Sequence, residues 1–372
     1  MKKRCVYIAT GDDKMKIFAV VLFAVGILIN PSGSALAAKD ALVSCANSVV
    51  PSLFPFFVCS KMLIEMGVAE KLSKLLFPVM KPIFGVGGGG ALALVLGILS
   101  GYPVGASAAA DLAKSGQCTR SEAEKLLGYC NNSGPLFILG AIGTGLLGNA
   151  LLGWVLYISH IMSAFTVALL MRAVPCKISR ERRNNSSLQN RHFGEIMAKS
   201  VGDGADAVFT VCGFVIIFAI VAEGIEYSGI FHIFSFAGVD YNLCKAFVYG
   251  LLEPVGGTVM AAKTFLNYPV MQCAALSAVL GWSGISVHLQ VLGIIKKEGL
   301  SAKYYFLGKL GMTVISPVYT YVLLKMFPHV ITKSVFSPSN MVQTTPFPYI
   351  SGFICITVIF ALAMQLIPSK RY

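Results

Sequence analysis

The sequence predicts an all-α, polytopic membrane protein, and three observations carry that prediction. Of its 372 residues 56% are AVILMFWYC and only 13% are Asp, Glu, Lys or Arg, with a mean hydropathy of +0.73; soluble domains carry about 25% charged residues. The apolar residues fall into runs close to the roughly 20 residues that a spanning helix needs. The 30 Lys+Arg outnumber the 17 Asp+Glu and sit between those runs. There they orient a chain in a bilayer rather than form a surface for nucleic acid. Room remains for about eight to twelve crossings and for no large soluble catalytic domain, so no enzyme and no catalytic residue is expected.

The first element is a helix within residues 1–40, where Lys14 and Lys16 precede the apolar run 17–29. A retained helix is expected rather than a cleaved signal peptide, because a chain with many further spans needs no removable leader. Further apolar segments run at about residues 43–66, 91–110, 126–147, 151–174, 205–225, 243–262, 270–295, 304–327 and 349–367. Two weaker stretches, 72–84 and 230–239, are too short to span and are read as interfacial or half-inserted.

Between Cys176 and Ser200 the composition changes to Lys177, Arg180, Arg182, Arg183, Arg191 and Lys199 among Asn and Ser. This basic tract, residues 176–203, is read as a cytoplasmic linker between a first repeat at 41–175 and a second at 204–328. A loop and last helix follow at 329–372. The basic termini argue for the same side of the membrane as the linker, so each half crosses an odd number of times. Two similar halves with odd crossings are oppositely oriented, which is the condition for inverted repeats.

Similarity between the halves is visible in the residues. Gly101-Tyr102-Pro103-Val104-Gly105 has a counterpart in Glu253-Pro254-Val255-Gly256-Gly257, and Asn132-Ser133-Gly134-Pro135 in Trp282-Ser283-Gly284-Ile285. Pro103 and Ser133 are 30 residues apart, Pro254 and Ser283 29. A competing register sets Lys114-Ser115-Gly116 against Lys297-Glu298-Gly299, and the two cannot both hold. Proline and glycine inside an apolar run free backbone groups that lipid cannot satisfy, so all four motifs are expected to be broken or re-entrant helix lining a cavity near the midplane.

Interrupted helices present N-terminal amides that attract carboxylate or phosphate. The expected substrate-binding residues are Ser100, Gly101, Tyr102, Gly105, Asn131, Asn132, Ser133, Gly134, Glu253, Gly256, Trp282, Ser283, Gly284 and His288. Amides and hydroxyls supply polar contacts, and Tyr102 and Trp282 supply faces for a planar ring. Glu253 and His288 are singled out as ionisable groups inside apolar runs, alongside Glu223; structurally, Glu253 could instead cap a half-helix. Ser107 and Ser286 add hydroxyls, while Asp203, Asp206 and Glu226 are read as interfacial.

Several signals are discounted. The ten cysteines are scattered without a CxxC pair and are read as small buried residues, so no metal and no cofactor is expected. Gly85-Val86-Gly87-Gly88-Gly89-Gly90 satisfies GxGxxG but leads straight into an apolar run, which makes it a bend rather than a dinucleotide site. Ser121-Glu122-Ala123-Glu124 is read as a capping box opening a helix.

At Pro51-Ser52-Leu53-Phe54-Pro55-Phe56-Phe57, Ser100-Gly101-Tyr102-Pro103-Val104-Gly105-Ala106 and Cys130-Asn131-Asn132-Ser133-Gly134-Pro135-Leu136-Phe137, the chain resembles the YlbJ-like sporulation integral membrane family. That family carries the nucleoside-recognition Gate domain, found also in concentrative nucleoside transporters and ferrous-iron permeases. The resemblance implies transport of dipicolinic acid, a small planar dicarboxylate, across the mother-cell-derived outer forespore membrane. It also leaves open a nucleoside or another solute, and a non-transporting sporulation scaffold. The implied partners are an anionic small molecule, the lipid bilayer, and a homo-oligomer or sporulation proteins, but no nucleic acid.

Overall fold

A computed structural model describes residues 11–66, 68–176, 192–232, 238 and 240–332. The basic tract from 177 to 191, most of the stretch 230–239 and the final apolar run 349–367 lie outside the described residues, so the expectations for them are neither supported nor opposed.

Among the described residues every regular element is helical. After α1 (Gly11–Ile29) the chain bends by 102° at Asn30. It then runs through α2 (Pro31–Ser44), a π-helical turn at Cys45–Val49 and α3 (Val50–Glu65). α4 (Val68–Phe84) follows, with Met80 and Phe84 buried and Leu75 exposed. α5 (Ala91–Ser100), α6 (Val104–Lys114), α7 (Arg120–Cys130), a π-helix at Leu136–Leu146 and α8 (Ala150–Arg172) complete the first half. The second half runs through α9 (Phe193–Tyr227), α10 (Tyr241–Leu252), α11 (Pro254–Thr264), α12 (Pro269–Trp282), α13 (Gly284–Lys297) and α14 (Lys303–Met326); the short α15 (His329–Thr332) closes the described chain.

Among the described residues four helical stretches are long and apolar enough to cross a membrane: α8, α9, α12 with α13, and α14; counting bent pairs gives up to six. Their burial is inverted relative to a soluble bundle. Leu170, Phe209 and Val314 are exposed, while Ser159, His160, Ser163, Lys309, Ser316 and Thr320 are buried. Lipid as the outer solvent accounts for this, since apolar side chains lose nothing by facing it and polar ones must pair inside.

The same order of elements occurs twice. α9 has the length of the continuous helical stretch 31–65, and the two run antiparallel. The start of α2 meets the end of α9, where Asn30 donates to Glu223 at 3.2 Å; the end of α3 meets the start of α9, where Lys199 pairs with Glu65 at 2.5 Å. Each half then folds a pair of short helices into a hairpin. In α5–α6 the base is tight: a Cβ on Gly89 would come within 2.4 Å of the Gln117 carbonyl oxygen. In α10–α11 the Thr264 hydroxyl donates to the Asn242 carbonyl at 3.2 Å.

The hairpins enter from opposite ends of the bundle. The α6–α7 loop meets the α13–α14 loop, with Lys114 and Glu298 3.0 Å apart and the Ser301 amide donating to Glu124 at 2.8 Å. The start of α10 meets the end of α9, through Lys245 and Tyr249, which both donate to Glu226. Runs 91–110 and 243–262 are therefore broken, re-entrant helices, as their Pro and Gly motifs implied, turning back at Gly101 to Pro103 and at Glu253. The competing repeat register fails on the same grounds, because the loops at Lys114 and Glu298 are neighbours in space and hold different places in the element order.

Two smaller expectations are refined. The capping box is formed by Thr119 and Glu122, with the helix starting at Arg120, two residues earlier than a cap at Ser121 implied. The glycine run is a buried 3-10 turn at Gly88–Gly90 leading into α5, with the Gly87 amide donating to Glu122 at 2.6 Å.

Candidate functional site

All four motifs are interruptions, and within each half the two interruptions touch. Gly101 has φ +90°, and a Cβ there would lie 2.5 Å from the Gly134 nitrogen. Gly284 has φ +78°, and its Cβ would lie 2.9 Å from the Glu253 nitrogen. Only glycine supplies that backbone with that approach. Ser283 is the non-glycine with positive φ, 73°, a conformation that persists where the surroundings impose it.

The helix after each broken pair serves the break with a buried polar side chain. The Ser133 amide donates to His160 Nε2 on α8 at 3.0 Å. Lys309 on α14 donates to Ser283 Oγ at 2.8 Å, and also to the Asn131 carbonyl of the other half at 2.5 Å. Its Nζ stands 5.7 Å from the centre of the Tyr102 ring. Lys309 is 1% exposed, so this one nitrogen ties three of the four interruptions together.

Between the interruptions lies a cavity of about 570 Å3, whose lining includes Ser100, Tyr102, Ser133, Gly134, Glu253, Pro254 and Ser286. Small-molecule sites fall in the range of about 300–1,000 Å3. The π-turn contributes Asn47 and Val49, and α9 contributes Val211 and Val215. Three half-helices begin here with no side-chain cap: α6 at Pro103, the π-helix at Pro135 and α13 at Ser283. The fourth, α11, is capped by Glu253, whose Oε2 accepts from the Gly256 amide at 2.7 Å.

Of the expected site residues, Ser100, Tyr102, Ser133, Gly134 and Glu253 line the cavity. Gly101, Gly105, Gly256 and Gly284 are not in its lining: Gly101 and Gly284 make the close backbone crossings of the breaks, Gly105 packs against the Cys130 carbonyl and Gly256 against the Tyr249 ring. Asn131, Asn132 and Ser283 are buried in the breaks; Asn132 Nδ2 donates to the Tyr129 carbonyl at 3.0 Å. Trp282 and His288 sit outside the lining. Trp282 Nε1 donates to the Leu251 carbonyl at 3.1 Å and its ring packs on His288, 4.4 Å between centres, while His288 Nδ1 meets the Tyr305 hydroxyl at 2.8 Å. Glu223 bonds Asn30 and is also outside the cavity. Lys309, His160 and Gln290 were not expected. The signal for Lys309 and His160 was available: each is a polar or ionisable residue inside an apolar run, a rare and costly placement.

A second cavity, a vestibule of about 710 Å3, lies where α9 begins and is lined by Lys199, Asp203 and Asp206 of that helix, with Lys114 and Lys297. Lys61 crosses it from α3 to α6, 2.6 Å from Asp111 and 3.3 Å from the Ser107 hydroxyl.

The fold and these interruptions define a polytopic helical membrane protein built around two re-entrant hairpins. Residues 46–127, from the π-turn into α7, match the Gate family, described as nucleoside recognition. The chain is similar to the sporulation integral membrane protein YlbJ of Bacillus subtilis (strain 168), 29% identical over 325 residues, which cover 80% of this chain and 79% of that protein. No solved structure matches.

Proposed function

We propose that the chain is a sporulation membrane transporter whose solute binds between the hairpin tips, and that the solute is a small planar carboxylated heterocycle, dipicolinate. The observation that carries this reading is a cavity between the interruptions lined from both halves, by Ser100 and Ser133 of the first and Glu253 and Ser286 of the second. Irregular backbone deep in a lipid-embedded fold is tolerated where it lines such a cavity. The uncapped starts of α6, the π-helix and α13 offer amides to carboxylates, and the Tyr102 ring offers a face to the heterocycle. The antiparallel pairing of 31–65 with α9 and the opposed hairpins support inverted repeats and alternating access. Lys/Arg excess at the end where α9 begins supports a cytoplasmic position for that end, and the likeness to a sporulation membrane protein supports the outer forespore membrane as the membrane of our proposal.

The Gate match favours a second reading, a nucleoside, for which Glu253 supplies an acceptor to ribose hydroxyls. Uptake of labelled dipicolinate and uridine into vesicles separates the two. Saturable dipicolinate uptake, lost on Ser133→Leu, is expected; saturable uridine uptake with no dipicolinate uptake rejects the substrate, and no uptake of either favours a scaffold.

A further inference from the structure

The central cavity and the vestibule share two lining residues, Val211 on α9 and Gln290 on α13. The same helix faces continue in both directions. On α13, Ser286 lines the central cavity and Lys297 the vestibule; on α9, Val215 and Lys199 do so. On the first hairpin Tyr102 faces the cavity and Ser107 the vestibule. Gln290 is 5% exposed, and its Oε1 is buried with no hydrogen-bond partner. A buried carboxamide left partly unsatisfied is a cost that native folds avoid unless something else supplies the partner.

We infer that the two cavities are one solute path opening where α9 begins, and that Gln290 is the specificity-determining residue at its neck, hydrogen-bonding the carboxylated heterocycle as it passes. This rests on the transporter reading above. A carboxamide suits the position: it is neutral, so it neither holds nor repels a dianion, and it offers both donors and an acceptor. Opposite it, Val211 presents an apolar wall to the ring. An acidic residue at the neck would oppose a dianion in a low-dielectric passage, where like charges interact strongly.

The full-length chain in proteoliposomes tests both parts, with dipicolinate and its neutral diamide as probes. Gln290→Glu is expected to cut dipicolinate flux at least about tenfold while diamide flux changes less than about twofold. Equal losses for both probes, or no loss for either, overturn the specificity role. For the path, Gln290→Cys and Gly293→Cys are treated with a membrane-impermeant thiol reagent against the unsubstituted chain as background. Labelling of both from the end where α9 begins, slowed at position 290 by dipicolinate, is expected. Failure to label position 290 from that end overturns the path even where transport is intact. Labelling with no transport of any probe leaves the path standing and removes the transporter reading instead.

Discussion

Lys309 Nζ lies 2.8 Å from Ser283 Oγ, 26 residues before it in the chain, and His160 lies the same way 27 residues after Ser133. The helix that follows each broken pair thus returns past its own break at nearly the same spacing in both halves. Removing the Lys309 donor leaves the buried Asn131 carbonyl without it, at about 1–3 kcal/mol for a group left unsatisfied, while the Ser283 hydroxyl keeps its bond to the Leu280 carbonyl. Lys309→Met is therefore expected to lower the unfolding midpoint in detergent clearly below that of the unsubstituted chain, and an unchanged midpoint would show that the tie is not structural.

Gly101→Ala and Gly284→Ala are expected to fail alike. Each puts a Cβ on a positive-φ backbone and within 3 Å of the partner break, adding a steric clash to a conformational cost of about 1–2 kcal/mol. Gly213→Ala, where a Cβ meets nothing within 4 Å, serves as control. The readout is the monodisperse folded yield, and full yield for either break variant contradicts the close crossing.

Glu253 both caps α11 and lines the cavity, and substitution separates the roles. Gln retains an oxygen to accept from the Gly256 amide, so Glu253→Gln keeps the fold, whereas Glu253→Ala loses about 0.5–2 kcal/mol of stability. With a neutral side chain beside it, a dianion binds more tightly; the KM for dipicolinate is expected to fall at least about threefold in Glu253→Gln. A KM that rises would mean that the carboxyl group itself contacts the solute.

Hairpins entering from opposite ends predict sided labelling. Cysteines replacing Lys114 and Thr264, at the bases of the α5–α6 and α10–α11 hairpins, are expected to react with an impermeant reagent from opposite faces of the membrane. Reaction from the same face contradicts the opposed arrangement.

The interruptions were legible in the residues because proline and glycine break a helix for local reasons that need no knowledge of the fold. How the broken pieces pair was not: run 91–110 has the length and hydropathy of a span, and nothing local says that its two short helices fold back on each other as a hairpin rather than continue as a kinked span. Lys309 and His160 escaped for a different reason: the residues hold matching places in the two halves but differ in type, so a search for repeated letters passes over them. Trp282 and His288 were placed in the site by their chemistry, yet they pack on each other, and His288 packs on Tyr305, as aromatic residues near a break readily do. Gln290 carried no sequence signal, since its role depends on two cavities meeting at one helix face.

The ten residues of α5 rise about 15 Å, half of a hydrocarbon layer about 30 Å thick. A hairpin of that height leaves its polar tip at half depth without any of its own backbone emerging on the far side. On the transporter reading proposed above, one such hairpin from each face would thin the insulating barrier from both directions at once, so that a small rearrangement around the tips would change which compartment the solute meets.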